Sequence, residues 1–217
     1  MPLDLSALVA PGHTAVLTVE VQNGIVGAGS AMPALADAVS AAGTLERIGA
    51  VLRAARAVGI PVVHCTAESR SDGFGGNRNA RLFARSRARR GAPPGFFDLH
   101  PSIGVEPEDV VVSRGHGVSP MTSTSLDAML RNEAITTIVA TGVSVNVALL
   151  GLVFEGVNRG YQVVLPRDAT AGVDERYVDS VYENTLSLLA TVTTADELVE
   201  RWGASAPSRS GDDTGIA

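Results

Sequence analysis

Residues 138–172 read IVATG, then VSVNVALLGLVFEGVNRG, then YQVVLPRDATAG. Ile138 to Thr141 is a short apolar run without charge, as expected of a strand covered on both faces. Gly142 breaks it. Ser144 or Asn146 can cap a following helix, in which Leu149, Leu150, Val153 and Val157 recur at helical spacing. Gly160 supplies a stop, and Tyr161 to Leu165 reads as strand again. Strand, helix and strand in this order predict a parallel pair joined by a right-handed crossover. The loop before the helix then aims backbone N–H groups and a partial positive charge at whatever sits over it. That is where an α/β enzyme holds an acyl or anionic group.

The rest of the chain fits the same class. Its 217 residues are enough for one domain with a full hydrophobic core. Hydrophobic content is 45% and mean hydropathy +0.20, but aromatics are only 4%, so Ala, Val and Leu must build the core. A formal net charge of −6 argues against nucleic acid as a partner. One cysteine, Cys65, excludes an intrachain disulfide framework and fits a reducing cytoplasm. No segment approaches 18 uncharged apolar residues, and MPLDLSALVAPGH lacks the pattern of a secretory signal. A cytoplasmic protein with no membrane partner is the expectation.

Taken in order, Thr14 to Val21 (TAVLTVEV) is a first strand, with Glu20 at its end and Gln22, Asn23 and Gly24 after it. GIVGAGSAMP reads as loop. Thr44 to Val58 is an amphipathic helix that stops at Gly59, and PVVHC (61–65) is a second strand. Thr66 to Pro107 is long, polar and punctuated by Gly and Pro, a composition typical of lids and interface arms. Within it, RLFARSRARR (81–90) is read as a solvated arm or subunit contact in preference to a phosphate strip. Val110 to Ser113 is a third strand, and Thr124 can cap the helix SLDAMLRN. Tyr177 to Leu189 is helix and Ala190 to Val192 strand. Thr194 and Glu197 form a capping box for a closing helix through Trp202. One α/β domain is expected over 1–205, with a loose polar tail over 206–217. Strands alternating with helices imply a three-layer α/β/α, Rossmann-like fold around a mostly parallel sheet. In such sheets a site lies beyond the carboxyl ends of the strands, where Glu20, His64, Arg114 and the 142–148 loop are expected to converge.

With these residues in hand, the chain resembles the isochorismatase-like hydrolases, also called the cysteine hydrolase superfamily, from about Thr14 to Trp202. The resemblance rests on VLTVEVQNG, GIPVVH, VVVSRGHGVSPMTSTSLDAMLR and IVATGVSVNVALLGLVFEGVNRGYQVVLPRDATAG, four segments in order and at matching spacing. It implies the fold, a small-molecule substrate, no cofactor, and a homo-oligomer, dimer or tetramer. It also implies an Asp that carries a proton, a Lys that stabilises charge and a Cys nucleophile at a helix start. Here the Asp position is Glu20. The Lys position falls on Arg114, or on Gly115 if counted back from Leu126. The Cys position is Ala148, which cannot be a nucleophile. A cis peptide between Val143 and Ser144, with N–H groups of Ser144 and Ala148 facing the pocket, is implied in the same way.

Each candidate has a bland reading beside the functional one. Glu20 is a general acid or base, or a strand-end charge whose carboxylate lies about one bond further out than that of Asp. Arg114 holds an anionic ligand or makes a structural ion pair, and it cannot exchange a proton near neutrality. His116 titrates in the pocket or sits on a surface loop. Gln22, His64, Val143, Ser144 and Asn146 are candidate pocket residues. His64 with Glu20 falls short of a metal-ligand pattern, so no metal is expected. Cys65 reads as buried and inert. Three functions follow. The first is a hydrolase of a small anionic molecule working by acid and base without cysteine, as the resemblance implies for true isochorismatases, which protonate a vinyl ether. There Glu20 is the acid, Arg114 the anion site, and Ala148 leaves room for a bulky group. The second is an inactive family member serving as a small-molecule-binding or assembly subunit. The third, ranked last, is an amidohydrolase using Cys65 or Ser144.

Overall fold

The computed structural model describes residues 4–86 and 92–205. The end of the arginine-rich segment, 87–91, and the tail, 206–217, lie outside them. In chain order the described residues form α1 (Leu5–Leu8), β1 (Thr14–Val19), α2 (Asn23–Val26), α3 (Pro33–Ala41), α4 (Thr44–Ala57), β2 (Val62–Ala67) and α5 (Arg81–Ser86). There follow β3 (Val110–Arg114), α6 (Leu126–Asn132), β4 (Thr137–Val143), α7 (Leu150–Asn158), β5 (Gln162–Pro166), β6 (Thr170–Ala171), α8 (Glu175–Val181), α9 (Ser187–Leu189), β7 (Thr191–Thr193) and α10 (Ala195–Ser205). The seven strands make one sheet in the order β3-β2-β1-β4-β5-β7, with β6 added to β4, and each pairing is parallel.

The register places the site. β1 is the central strand, buried at each of its six positions, as its charge-free TAVLTV requires. Alternate residues face opposite layers. Ala15, Leu17 and Val19 join Cys65, Val112, Leu126, Ala148 and Leu152 on the side covered by α6, α7 and α8. Val16 joins Val62, Ile48, Leu52, Leu198 and Trp202 on the side covered by α4 and α10. The expected three layers are therefore present. Val19 pairs with Cys65 on one side and Gly142 on the other, so Glu20, Thr66 and Val143 stand at one level on the carboxyl edge. Gly142 sits at φ +102, and a Cβ there would lie 2.3 Å from the carbonyl oxygen of Val19. No other residue lets β4 approach β1 so closely.

Local signals explain most boundaries. Thr194 and Glu197 exchange the two bonds of a capping box, Glu197 N to Thr194 Oγ1 and Thr194 N to Glu197 Oε2, both at 3.2 Å. Thr124 Oγ1 accepts from Leu126 N at the start of α6. Gly59 and Gly160 end helices at positive φ. Several boundaries differ from those read in the sequence. GIVGAGSAMP was expected as loop, but α2 occupies its first residues, and its Pro33 opens α3, a favoured first-turn proline. The 66–107 segment contains α5 and a 3₁₀ turn at Pro101–Ile103. β2 runs on to Ala67, two residues past the expected end, because Thr66 and Ala67 pair with Ser113 and Arg114.

Candidate active site

Glu20 follows the last residue of β1 and takes φ +56, left-handed for a residue with a Cβ. Its N–H still donates to Cys65 O (2.9 Å), and its carbonyl accepts from Gln22 N (2.9 Å), so the chain turns sharply at the strand end. Left-handed non-glycine backbone costs about 1 kcal/mol or more and persists where the surroundings fix it. The turn brings the carboxylate onto Arg114, whose Nη2 donates to Glu20 Oε1. Arg114 ends β3, two strands away, so its side chain reaches across β2. Of the two residues aligned with the family lysine, Arg114 is the one on the carboxylate. Gly115 has no side chain to offer. The pair is an ion pair with side chains 5% and 16% exposed, Arg114 being the deeper. Among the described residues, Nη2 has beyond Glu20 only a long contact to Val118 O at 3.5 Å, and Arg114 Nε and Nη1 are buried with no hydrogen-bond partner.

Beside Glu20, the Val143–Ser144 peptide is cis, as the resemblance implies. Ser144 precedes a π turn over Val145–Leu149 that leads into α7, where an α-helical start was expected. Its carbonyl accepts from Val147 N (3.2 Å) and Leu149 N (3.1 Å), and its hydroxyl makes no capping bond. Such turns recur at functional sites. Val143 is buried, and Ser144 and Asn146 are half-buried. A Cβ on Gly172 would lie 3.6 Å from Asn146 Oδ1, so Asn146 borders the 170–172 segment. Ala148 is 1% exposed and packs among Cys65, Val19 and Leu149.

The other candidates have different occupations. Gln22 is fully buried and spent on backbone. Its Oε1 accepts from Ala67 N (2.8 Å), and its Nε2 donates to Phe97 O (2.7 Å) and Ala67 O (3.2 Å). It clamps the end of β2 to the 92–100 segment, helped by Asn23 Nδ2 on Gly95 O and by Phe96 lying flush against Gly24. His64 does not stand at a strand end. It pairs with Thr18 in mid-strand, fully buried, and lies outside the edge cluster. Its Nε2 bonds Asp109 Oδ2 (3.0 Å) and its Nδ1 bonds Thr18 Oγ1 (2.7 Å). Because a carboxylate only accepts, Nε2 carries the proton and the Thr18 hydroxyl donates to Nδ1. Burial pushes the imidazole below its ordinary 6.5, against the opposing pull of Asp109. Burial also pushes the Asp109 carboxyl up, but the Arg56 fork, the Glu106 N–H and His64 outweigh it and hold it below the usual range. Cys65 is buried, its thiol pushed up to about 12 by desolvation despite the nearby Arg114 charge. The thiolate, the reactive form, is disfavoured there. His116 lies exposed on the loop after β3.

Sequence reading missed Thr18, Arg56 and Asp109 as a group. A threonine inside an apolar central strand was the available signal, since a buried hydroxyl needs a partner. It also missed Asn77, whose Oδ1 accepts from Gly117 N (2.6 Å) and ties the 68–86 arm to the loop after Arg114. Among the described residues, no three His, Cys, Asp or Glu side chains are placed to hold a metal ion, and no helix is long and apolar enough to cross a membrane.

Comparison with known proteins bears on the fold and the family. A family model described as Isochorismatase domain matches residues 14–197. Ureidoacrylate amidohydrolase RutB of Methylobacterium radiotolerans is 30% identical over 175 residues, covering 74% of this chain and 67% of that protein. Among solved structures, a cysteine hydrolase from Pseudomonas syringae pv. phaseolicola 1448A superposes with TM-score 0.75 at 25% identity, over 91% of this chain and 96% of that one. An isochorismatase family protein from Burkholderia thailandensis gives 0.72 at 23% identity, over 89% and 97%. A parallel sheet of this order, an acid and a cation on its carboxyl edge and a family match across most of the chain give one conclusion: the protein belongs to the isochorismatase family of hydrolases.

Proposed function

We propose that this protein hydrolyses a small anionic molecule by acid and base chemistry, without a cysteine nucleophile. The observation that carries the reading is Arg114, buried on the carboxyl edge with Nη2 on Glu20 and with Nε and Nη1 unpaired. Leaving a buried donor unpaired costs about 1–3 kcal/mol, so a ligand oxygen that accepts from it is held correspondingly more firmly. Arg114 keeps its proton near neutrality and therefore orients and polarises. Glu20 is the member of the pair that can carry a proton, to a leaving atom or from an attacking water. N–H groups at the start of the π turn lie on the same edge, where they can share developing negative charge. Ala148 offers no nucleophile, so water attacks and no covalent intermediate forms. The relative's name, a ureidoacrylate amidohydrolase, supports trying carboxylates that carry a ureido group first, with vinyl ethers second. The working state in this reading is a homo-oligomer. Exposed apolar residues such as Phe154 and Leu188 support it.

A second reading rests on a separate observation. Glu20 and Arg114 satisfy one another's charge, and Ala148 is packed into the core, which suits a pocket kept for binding or assembly without turnover. A panel of ureido acids, amides and vinyl ethers, followed for turnover and for thermal shift, separates the two. Turnover abolished by Glu20→Gln supports the hydrolase. Thermal shifts without turnover support the binding subunit and overturn the first reading.

A further inference from the structure

β3 closes one side of the sheet and pairs, among the described residues, with β2 alone. The carbonyl of Arg114 accepts from Glu68 N, so the backbone of Arg114 faces β2. Alternation along the strand turns Val112 and Val110 the same way and leaves the N–H and C=O groups of Val111 and Ser113 on the outer side. Among the described residues none of these outer groups has a hydrogen-bond partner. Such a row is a template for another strand, and sheet edges are ordinarily blunted by charge, proline, a bulge or brevity. The opposite edge is blunted by brevity, since β7 is three residues long. β3 is five residues long, and Val110–Ser113 carries no charge, proline or glycine. Val111 is 52% exposed, and Ser113 is exposed beside it.

We propose that β3 is the contact between two copies of this chain, paired antiparallel about a two-fold axis at Val112, so that one sheet runs through both. This rests on the homo-oligomer in the reading above and names its surface; it uses no step of the reaction. A strand that meets its own copy about a two-fold axis is antiparallel, and every contact occurs twice. With Val112 opposite Val112, Val111 of each copy stands opposite Ser113 of the other, and their outer N–H and C=O groups exchange bonds in both directions. Neighbouring registers fit less well. An axis at Val111 sets Ser113 against Asp109, whose N–H already donates to Glu106 O. An axis at Ser113 sets Val111 against Gly115, beyond the end of the strand. The Val112 register also lays the exposed Glu108 of one copy alongside the exposed His116 of the other, a carboxylate acceptor beside an imidazole donor. Pairing on both sides would then hold the strand that ends in Arg114.

The test is mass in solution and then a cross-link. Light scattering after gel filtration weighs the full chain, Val111→Lys and Val111→Pro, with circular dichroism to check that each is folded. The Val111 N–H points away from β2, so proline there removes no bond of the chain's own ladder. The pairing predicts a full chain of at least twice 22.3 kDa and a mass that falls by half in the folded variants. The register is read in the double variant Val111→Cys with Ser113→Cys. Directly opposed residues of this kind lie about 5.5 Å apart between Cα atoms, inside the span of about 4.4–6.8 Å that a disulfide bridges. Oxidation should therefore link the double variant into a covalent dimer, and Val111→Cys alone, on a diagonal of about 7–8 Å, should link far less. Cys65 is buried and does not compete. Should neither Val111 substitution fold, the double variant decides. A monomeric full chain overturns this interface together with the homo-oligomer of the reading above. An oligomer whose mass is unchanged in the folded variants, or a double variant that stays unlinked on oxidation, overturns the interface alone. Neither result bears on hydrolysis, which turnover decides.

Discussion

Asp109→Ala is the perturbation whose cost follows most directly from the structure. The carboxylate is 3% exposed and accepts four bonds: Arg56 Nε at 3.0 Å, Arg56 Nη2 at 2.5 Å, His64 Nε2 at 3.0 Å and Glu106 N at 2.8 Å. Removing one partner of a buried ion pair costs about 3–5 kcal/mol. Arg56 is 20% exposed and can turn toward water, which places its share at the low end. His64 is fully buried and cannot, and a stranded buried donor costs about 1–3 kcal/mol. The two losses overlap, so the expected destabilisation is about 3–4 kcal/mol, a large part of a stability of about 5–15 kcal/mol. Urea unfolding near pH 7.5 measures it as a lower midpoint at unchanged slope. With a slope of about 1–3 kcal/mol per molar, the midpoint falls by about 1 M or more. Asp109→Asn keeps the shape and part of the bonding and falls less. The network ties β1 through Thr18, β2 through His64 and the start of β3 through Asp109; β1 leads into Glu20, β3 ends in Arg114, and β2 lies between them. A loss below about 1 kcal/mol in Asp109→Ala would refute the argument that this network holds those strands.

Further expectations concern other parts of the fold. His64 has a folded-state pKa below its unfolded 6.5, so its contribution is fully present above pH 6.5 and is lost as pH falls from there through the folded value. His100 is lowered in the same direction, so the loss should shrink in a His64 variant and persist in a His100 variant when unfolding is followed from pH 7.5 downward. A pH-independent stability over that range would contradict the burial argument. Cys65, its thiol at about 12, should resist iodoacetamide in the native protein near pH 8 and react once urea unfolds it, with any turnover unaffected by the reagent. Gly142→Ala forces a Cβ to 2.3 Å from the Val19 carbonyl at φ +102, so it should cost more than the 1–2 kcal/mol of left-handed backbone alone and lower the thermal midpoint by several degrees.

How much of this could be read in advance depended on the range of the interaction. Strands β1, β4 and β5 announced themselves as apolar runs, and Thr194 with Glu197 formed the box their spacing implies, because both signals are local. Glu20 and Arg114 were legible as strand-end charges, but not the left-handed turn at Glu20 or the reach of Arg114 across β2. Those depend on strand order, which no short window contains. PVVHC looked complete at Cys65. β2 continues only because Thr66 and Ala67 find Ser113 and Arg114, and that extra length puts His64 inside the wall. Gln22 looked like a pocket residue, and its amide is taken by backbone groups 45 and 75 positions away. The π turn at Val145–Leu149 differs from an α turn only in which N–H reaches the Ser144 carbonyl, a choice that side-chain periodicity does not record.

The most direct test of the central claim is steady-state turnover of the wild type and Glu20→Gln on ureido acids, amides and vinyl ethers, with the Cys65 thiol blocked. Acid and base hydrolysis from the Glu20–Arg114 edge predicts that one of these bonds is cleaved, that blocking the thiol changes nothing, and that Glu20→Gln abolishes turnover while the protein stays folded. Cleavage that survives in Glu20→Gln, or that is lost on blocking the thiol, would contradict the account.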